Sequence, residues 1–169
     1  MNVLLATIIL LVNTSIYDLQ FTGIDGNTIS VNQYAGKKIL LVNIATGSSR
    51  VNQLAGLQQL QQQYGDSVVV IAFPSNSFSR EARSNAEIKQ FCEANYGVTF
   101  LLAAKNPIAG PEIQSMYHWL TNRSENGETD EPVKGDFQKF LVSKNGELIG
   151  VFAPSVDPMS TEIRNAIEN

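Results

Sequence analysis

A short polar turn between an apolar segment and a region of helical periodicity holds the residue types best suited to chemistry. The apolar segment is Ile39–Ile44, and the turn after it reads Thr46-Gly47-Ser48-Ser49-Arg50. Where a strand runs through such a turn into a helix, the backbone N–H groups and the helix dipole favour negative charge. Ser48, Ser49 and Arg50 are therefore candidate ligands of a small anion. Serine here is equally consistent with an ordinary helix cap.

The same turn offers hydroxyls but no thiol, which limits the catalysis it can support. Ser48 would need a nearby base to act as an acyl-transfer nucleophile. The only histidine, His118, lies far along the sequence, and we expect it on a helix surface rather than in a triad. The only cysteine, Cys92, shares an apolar helix face with Ile88 and Phe91. A free cysteine on such a face is a buried, inert hydrophobe.

Composition excludes several classes of function. The 169 residues carry a formal net charge of −4, whereas a nucleic-acid-binding face would be basic. One cysteine rules out an internal disulfide, and one histidine leaves no cluster with zinc-ligand spacing. The length fits one domain with a substantial core. The sequence predicts no cofactor.

Hydrophobic periodicity predicts the elements that position these residues. Asp25-Gly26-Asn27 predicts an N-terminal β-hairpin, and two buried strands, Ile39–Ile44 and Val68–Phe73, flank a helix. The glutamines from Gln58 to Gln63 are expected on the solvated side of that helix. Strands alternating with helices predict an α/β fold with a central mixed β-sheet flanked by α-helices.

The second half of the chain continues the alternation. Ser84-Asn85-Ala86-Glu87 predicts a capping box at the start of a helix. Pro111 is expected in the first turn of the next helix, and residues 122–134 in a solvated loop. A hairpin around Lys144-Asn145-Gly146 and a helix over Pro158–Ile167 complete the chain.

Residues 1–14 form an apolar N-terminal extension. The segment from Val3 to Val12 is too short to cross a bilayer, which takes about 20 apolar residues. Its length suits a signal peptide, although no Lys or Arg precedes it. One alternative is an exported protein, periplasmic or secreted. The other is a cytoplasmic protein whose extension packs on the domain or on a neighbouring molecule.

From Ser15 to the C-terminus the chain resembles the glutathione peroxidases. The resemblance rests on short strings in the order and spacing of that family: Ser15-Ile16-Tyr17-Asp18, Asp25-Gly26-Asn27, Leu41-Val42-Asn43-Ile44-Ala45, Asn52-Gln53, Ala72-Phe73-Pro74, Glu87-Ile88-Lys89-Gln90-Phe91-Cys92, Asn95-Tyr96-Gly97-Val98-Thr99-Phe100, Lys139-Phe140-Leu141-Val142, Asn145-Gly146 and Phe152-Ala153-Pro154. The resemblance implies a thioredoxin-like fold for a domain over residues 15–169.

The resemblance also implies where a peroxidase site should lie, and the chain departs from the pattern there. The family uses a cysteine or selenocysteine after the first central strand, with a glutamine, a tryptophan and an asparagine. The matching positions hold Ser48, Ser77, Gly135 and Asp136. We therefore expect a degenerate active site.

Two functional hypotheses follow. The first is a non-catalytic binding or interaction module, with a small thiol or an anion as the predicted partner. The alternative is an enzyme that reduces hydroperoxides with glutathione or thioredoxin in oxidative-stress defence, with residual activity. The loop before Phe137 is short and resembles that of monomeric members, so we expect a monomer, with dimerisation through the N-terminal extension as the alternative.

Overall fold

The structure, a computed structural model, describes residues 14–169. A small antiparallel hairpin precedes a five-stranded sheet. The strands are β1 (Gln20–Thr22), β2 (Thr28–Ser30), β3 (Lys38–Ile44), β4 (Val68–Pro74), β5 (Leu101–Leu102), β6 (Lys139–Val142) and β7 (Leu148–Phe152). The helices are α1 (Gln53–Tyr64), α2 (Asn85–Tyr96), α3 (Ser115–Leu120), α4 (Arg123–Asn126) and α5 (Thr161–Glu168).

The sheet order is β5-β4-β3-β6-β7, and the pairing is mixed. β3 pairs in parallel with β4, and β4 with β5, whereas β6 runs antiparallel to β3 and β7 to β6. Every residue of β3 is buried because the sheet is covered on both faces. The predicted α/β class, the mixed central sheet and the N-terminal hairpin are confirmed.

Two apolar layers hold the helices against the sheet. One face packs against buried side chains of α1, α2 and α5, among them Leu57, Ile88 and Ile163. The other packs against α3 and the N-terminal hairpin, including Tyr117 and Phe21. None of the helices in the described range is long and apolar enough to span a membrane.

Local signals set several boundaries as predicted. The capping box at α2 is present, with the Ser84 hydroxyl accepting from Glu87 N and the Glu87 carboxylate accepting from Ser84 N. Gly97, at φ 59°, ends that helix in the left-handed region that glycine favours. The predicted C-terminal hairpin forms between β6 and β7.

Four expectations were wrong in detail. Gln58 is buried, because its side-chain amide bonds the hydroxyl and backbone N–H of Thr99, each at 2.8 Å. Pro111 lies in a turn after Gly110, and α3 begins at Ser115. The segment 122–134 contains α4 and the buried Asn126, whose amide donates to Trp119 O. The last helix begins at Thr161, after the capping residue Ser160.

The prediction for residues 1–14 concerns a segment that lies outside the described residues, except for its last member. Thr14 O accepts a hydrogen bond of 2.7 Å from the indole N–H of Trp119. The signal and packing alternatives, and the boundary of the domain, remain predictions.

Candidate functional site

Three loops meet at one edge of the central sheet. The carboxyl ends of the parallel strands β3 and β4 lie side by side, with Ile44 opposite Pro74. β6 runs the other way, so the residues just before its start reach the same edge. This topology places the Ser48 turn, the loop after β4 and Gly135-Asp136 together, which sequence order alone does not.

The Ser48 turn is tightly bonded within itself. Ser48 is 3% exposed, and its hydroxyl accepts from Arg50 N at 3.3 Å. Ser48 N donates to Ala45 O, and Val51 N donates to Ser48 O. A short series of turns follows, and α1 begins only at Gln53, so Ser48 does not cap the helix directly.

This bonding leaves few donors for the anion predicted at Ser48, Ser49 and Arg50. Of the five backbone N–H groups from residue 47 to residue 51, four donate hydrogen bonds within the protein. The fifth, Ser49 N, has no acceptor among the described residues. Ser49 itself is exposed, and Arg50 is half-buried.

A buried carboxylate faces the turn. The side chain of Asp136 is 1% exposed, and its Oδ2 has no hydrogen-bond partner among the described residues. Arg80 Nη1 lies 3.6 Å from Oδ2, which is an ion pair but too long for a hydrogen bond. Burial raises the pKa of Asp136, while the positive charge of Arg80 and the Ser48 hydroxyl oppose that rise.

The backbone holds Asp136 in this place. Phe137 N donates to Asn43 O at 2.7 Å, and the Asn43 amide donates to Gly135 O at 2.9 Å. Phe137 adopts φ 68°, a conformation that costs energy for an aromatic residue and is held by these contacts. The strand β3 thus fixes both the Ser48 turn and Asp136.

The loop after β4 is anchored by a residue that sequence reasoning missed. Glu81 is fully buried, and its carboxylate accepts from Thr46 N at 2.6 Å and from the Thr46 hydroxyl at 2.8 Å. Arg83 Nη1 also donates to the Thr46 hydroxyl, at 2.6 Å, and Gly47 N donates to Arg80 O at 3.0 Å. No sequence signal marks Glu81, because it lies in a polar segment without periodicity.

Ser77 lies at the same edge but does not bond to Ser48. Its hydroxyl accepts from the Ser75 hydroxyl at 3.0 Å and from Ile108 N at 3.1 Å. The structure therefore brings Ser48 and Asp136 together, with Gly135 in the adjoining backbone, and leaves Ser77 facing the loop that carries Ile108.

The two remaining candidates lie elsewhere. His118 is exposed on α3, with Nδ1 2.9 Å from a Glu125 carboxylate oxygen, and no hydrogen bond of the described chain joins it to Ser48. Cys92 is fully buried, as its helix face predicts, and burial raises its pKa to about 12. Within residues 14–169, no group of three or more His, Cys, Asp or Glu side chains could hold a metal ion.

Comparison with known proteins identifies the family of this chain. Residues 16–121 match the family model described as glutathione peroxidase. A glutathione peroxidase of Lactococcus lactis subsp. cremoris is 34% identical over 155 residues, which cover 89% of this chain and 98% of that protein.

The chain belongs to the glutathione peroxidase family. Among solved structures, apo Trgpx is similar at 28% identity, with a TM-score of 0.69 over 92% of this family member and 97% of that chain. A thioredoxin-family thiol:disulfide interchange protein from Chlorobium tepidum has a TM-score of 0.65 at 17% identity, covering 92% and 97% of the two chains. The fold is therefore thioredoxin-like, as expected.

Proposed function

We propose that this family member is a non-catalytic binding module on a peroxidase scaffold. The observation that carries the proposal is the hydroxyl of Ser48 at the end of β3, in the place where the family resemblance puts a cysteine or selenocysteine. Ser77, Gly135 and Asp136 occupy the places of the glutamine, tryptophan and asparagine in the same proposal.

A serine cannot substitute for the missing sulfur. A thiolate attacks the peroxide O–O bond and takes one oxygen as a sulfenic acid, which another thiol then reduces. A hydroxyl is barely ionised near neutral pH and has no comparable reversible oxidation state. Even an activated Ser48 would be a nucleophile for acyl or phosphoryl transfer.

The surroundings of Ser48 oppose thiolate chemistry as well. A thiolate is stabilised by hydrogen-bond donors and by positive charge. Asp136 instead brings a buried carboxylate to the turn, and Gly135 supplies no side chain. Ser77 directs its contacts away, to Ser75 and Ile108.

Cys92 does not replace the lost nucleophile. It is fully buried, so a peroxide cannot reach its sulfur. Burial raises its pKa to about 12, so the neutral thiol predominates at pH 7.

The second candidate function is thiol-dependent reduction of hydroperoxides, with glutathione or thioredoxin as reductant. The names of this chain's relatives favour that function. One of them is the Lactococcus glutathione peroxidase, to which the chain is similar over nearly the whole length of that protein. Its catalytic sulfur would have to be Cys92, the only thiol of the chain.

A coupled peroxidase assay separates the two. The full chain is assayed with hydrogen peroxide and with an organic hydroperoxide, using glutathione or thioredoxin, beside the Lactococcus relative as a positive control. We expect no turnover above that of the reagents. Turnover that disappears in Cys92→Ala would establish the second candidate, and turnover that persists in that variant would contradict both accounts of the site.

The predicted partner, a small thiol or an anion, belongs to the same proposal. An anion at Ser48 and Arg50 would lie beside Asp136 and be repelled while that carboxylate is charged. A monomeric state, and either an exported or a cytoplasmic location, stay predictions from the sequence.

A further inference from the structure

A small cavity opens beside Ser77. It has a volume of about 290 Å³ and is lined by Asn76, Ser77, Lys105, Asn106 and Pro107. It lies between the loop after β4 and the loop after β5. Its volume is at the lower end of the range for ligand pockets.

Three of the lining residues, Asn76, Ser77 and Lys105, offer hydrogen-bond donors, and Asn106 carries an amide with both a donor and an acceptor. Ser77 Oγ already accepts two hydrogen bonds, from Ser75 Oγ and Ile108 N, so its own hydrogen is free to donate. Asn76 Oδ1 accepts from Glu81 N at 2.9 Å, which fixes the orientation of the amide. The Asn76 Nδ2 group then has two hydrogens with no acceptor in the range 14–169.

Lys105 is the one charged residue among the described residues that line the cavity, and its charge also helps to lower the pKa of Glu87, which lies outside that lining. Lys105 Nζ donates one hydrogen bond, to Arg83 O at 2.5 Å, and an ammonium has two further hydrogens. None of the described residues that line the cavity carries a carboxylate. The Ser48 turn differs on both counts, since four of its five backbone N–H groups already donate and Asp136 lies beside it.

From this geometry we infer that the cavity binds a small organic monocarboxylate. One cation matches one negative charge, and a carboxylate accepts hydrogen bonds from an ammonium, an amide and a hydroxyl together. Pro107 provides an apolar wall for a short alkyl chain. The inference rests on the proposed binding role and moves the ligand from the Ser48 turn to Ser77 and Lys105.

Titration of the full chain with butyrate tests the inference, by calorimetry and by amide chemical-shift changes in NMR. A ligand of six non-hydrogen atoms is expected to bind with a dissociation constant on the order of 1 mM, with shifts concentrated at Ser77, Lys105 and Asn106. Butyramide, which has the same shape without the charge, should not bind. Phosphate is titrated as the inorganic alternative.

Two matched variants locate the site. Lys105→Met is expected to weaken butyrate binding about tenfold or more, because a hydrogen bond to a charged group is lost. Lys144→Met removes an equal charge from the exposed turn between β6 and β7 and should leave binding unchanged. If Lys105→Met does not fold, Asn106→Ala takes its place, because it loses only a 3.4 Å contact to Ala104 O within the protein. As a change in the cavity lining, it should also weaken butyrate binding.

The outcomes are distinct from those of the peroxidase assay. No butyrate binding, or binding equal in Lys105→Met and the parent chain, overturns the inference, as does stronger binding of phosphate than of butyrate. Binding that is lost in Arg50→Gln but kept in Lys105→Met would return the ligand to the Ser48 turn. Only turnover of hydroperoxide would overturn the proposed function itself.

Discussion

Replacing Ser48 by cysteine tests the proposed loss of activity, because it places a sulfur in the turn and leaves the surrounding residues unchanged. We expect Ser48→Cys to produce a thiol with a raised pKa and little peroxidase activity. The reason is the buried carboxylate of Asp136, which lies close enough to the Ser48 hydroxyl for that hydroxyl to affect its pKa. A negative charge there disfavours a second one on sulfur.

The size of the effect follows from the charges around the turn. Two unit charges about 5 Å apart interact by about 3 kcal/mol at an effective dielectric constant of about 20, which is about two pKa units. Arg80 lies 3.6 Å from Asp136 with a side chain that is 48% exposed, and the charge of Arg50 also lowers the pKa of Asp136, so we take the two cations together to offset about half. The thiol should then titrate about one unit above its reference value of about 8.5. Adding Asp136→Asn removes the two units due to the carboxylate while the positive charge stays, so the thiolate at pH 7 should increase by roughly a hundredfold.

The pH dependence of thiolate ultraviolet absorbance and of alkylation by iodoacetamide measures this pKa directly. Ser49→Cys is the matched control, because it places a thiol in the same turn but in solvent. Cys92 contributes little signal below pH 10, since its pKa is about 12. A Ser48→Cys thiol that titrates at or below about 8.5, unchanged by Asp136→Asn, would refute the electrostatic reasoning.

Three further predictions concern stability, each measured by urea unfolding. Glu81→Gln should lower the free energy of unfolding by about 3 kcal/mol, because it breaks a fully buried charged network. The control Glu93→Gln changes an exposed glutamate of α2 and should lower it by less than about 0.5 kcal/mol. Equal losses in the two variants would contradict this role of Glu81. Burial lowers the pKa of Lys139 from 10.5 to about 8, so the unfolded chain binds more protons between these values. The stability of the parent chain relative to Lys139→Met should therefore rise by about 3 kcal/mol from pH 7 to pH 10.5. A flat or falling difference would contradict a lowered pKa of the buried amine. Ser84→Ala should lower the free energy of unfolding by about 1 kcal/mol, because the capping box of α2 is lost, and should leave butyrate binding unchanged.

The fold was largely readable from the sequence because its signals are local. A continuous apolar run such as Ile39–Ile44 predicts a buried strand, and the capping box at Ser84 predicts the start of α2. The errors arose where a tertiary contact overrode the local pattern. Gln58 lies on the buried side of α1 because Thr99 supplies both of its hydrogen-bond partners.

The candidate site was less predictable, because its geometry depends on contacts between distant segments. The resemblance gave the positions of Ser48 and Asp136, but not the ion pair with Arg80 or the free Oδ2. Glu81 and Lys105 had no sequence signal, since burial in the first case and a cavity wall in the second are properties of the folded chain.

The sequence by itself determined which atoms are available: one thiol, one imidazole and a hydroxyl after the central strand. Those counts do not depend on how the chain folds, so the limit on sulfur chemistry was fixed from the start. Only the tertiary structure decided which charges face one another, because the order of strands in a sheet brings together loops that are far apart in the chain. Asp136 beside Ser48, and Lys105 beside Ser77, follow from that order and from no local pattern.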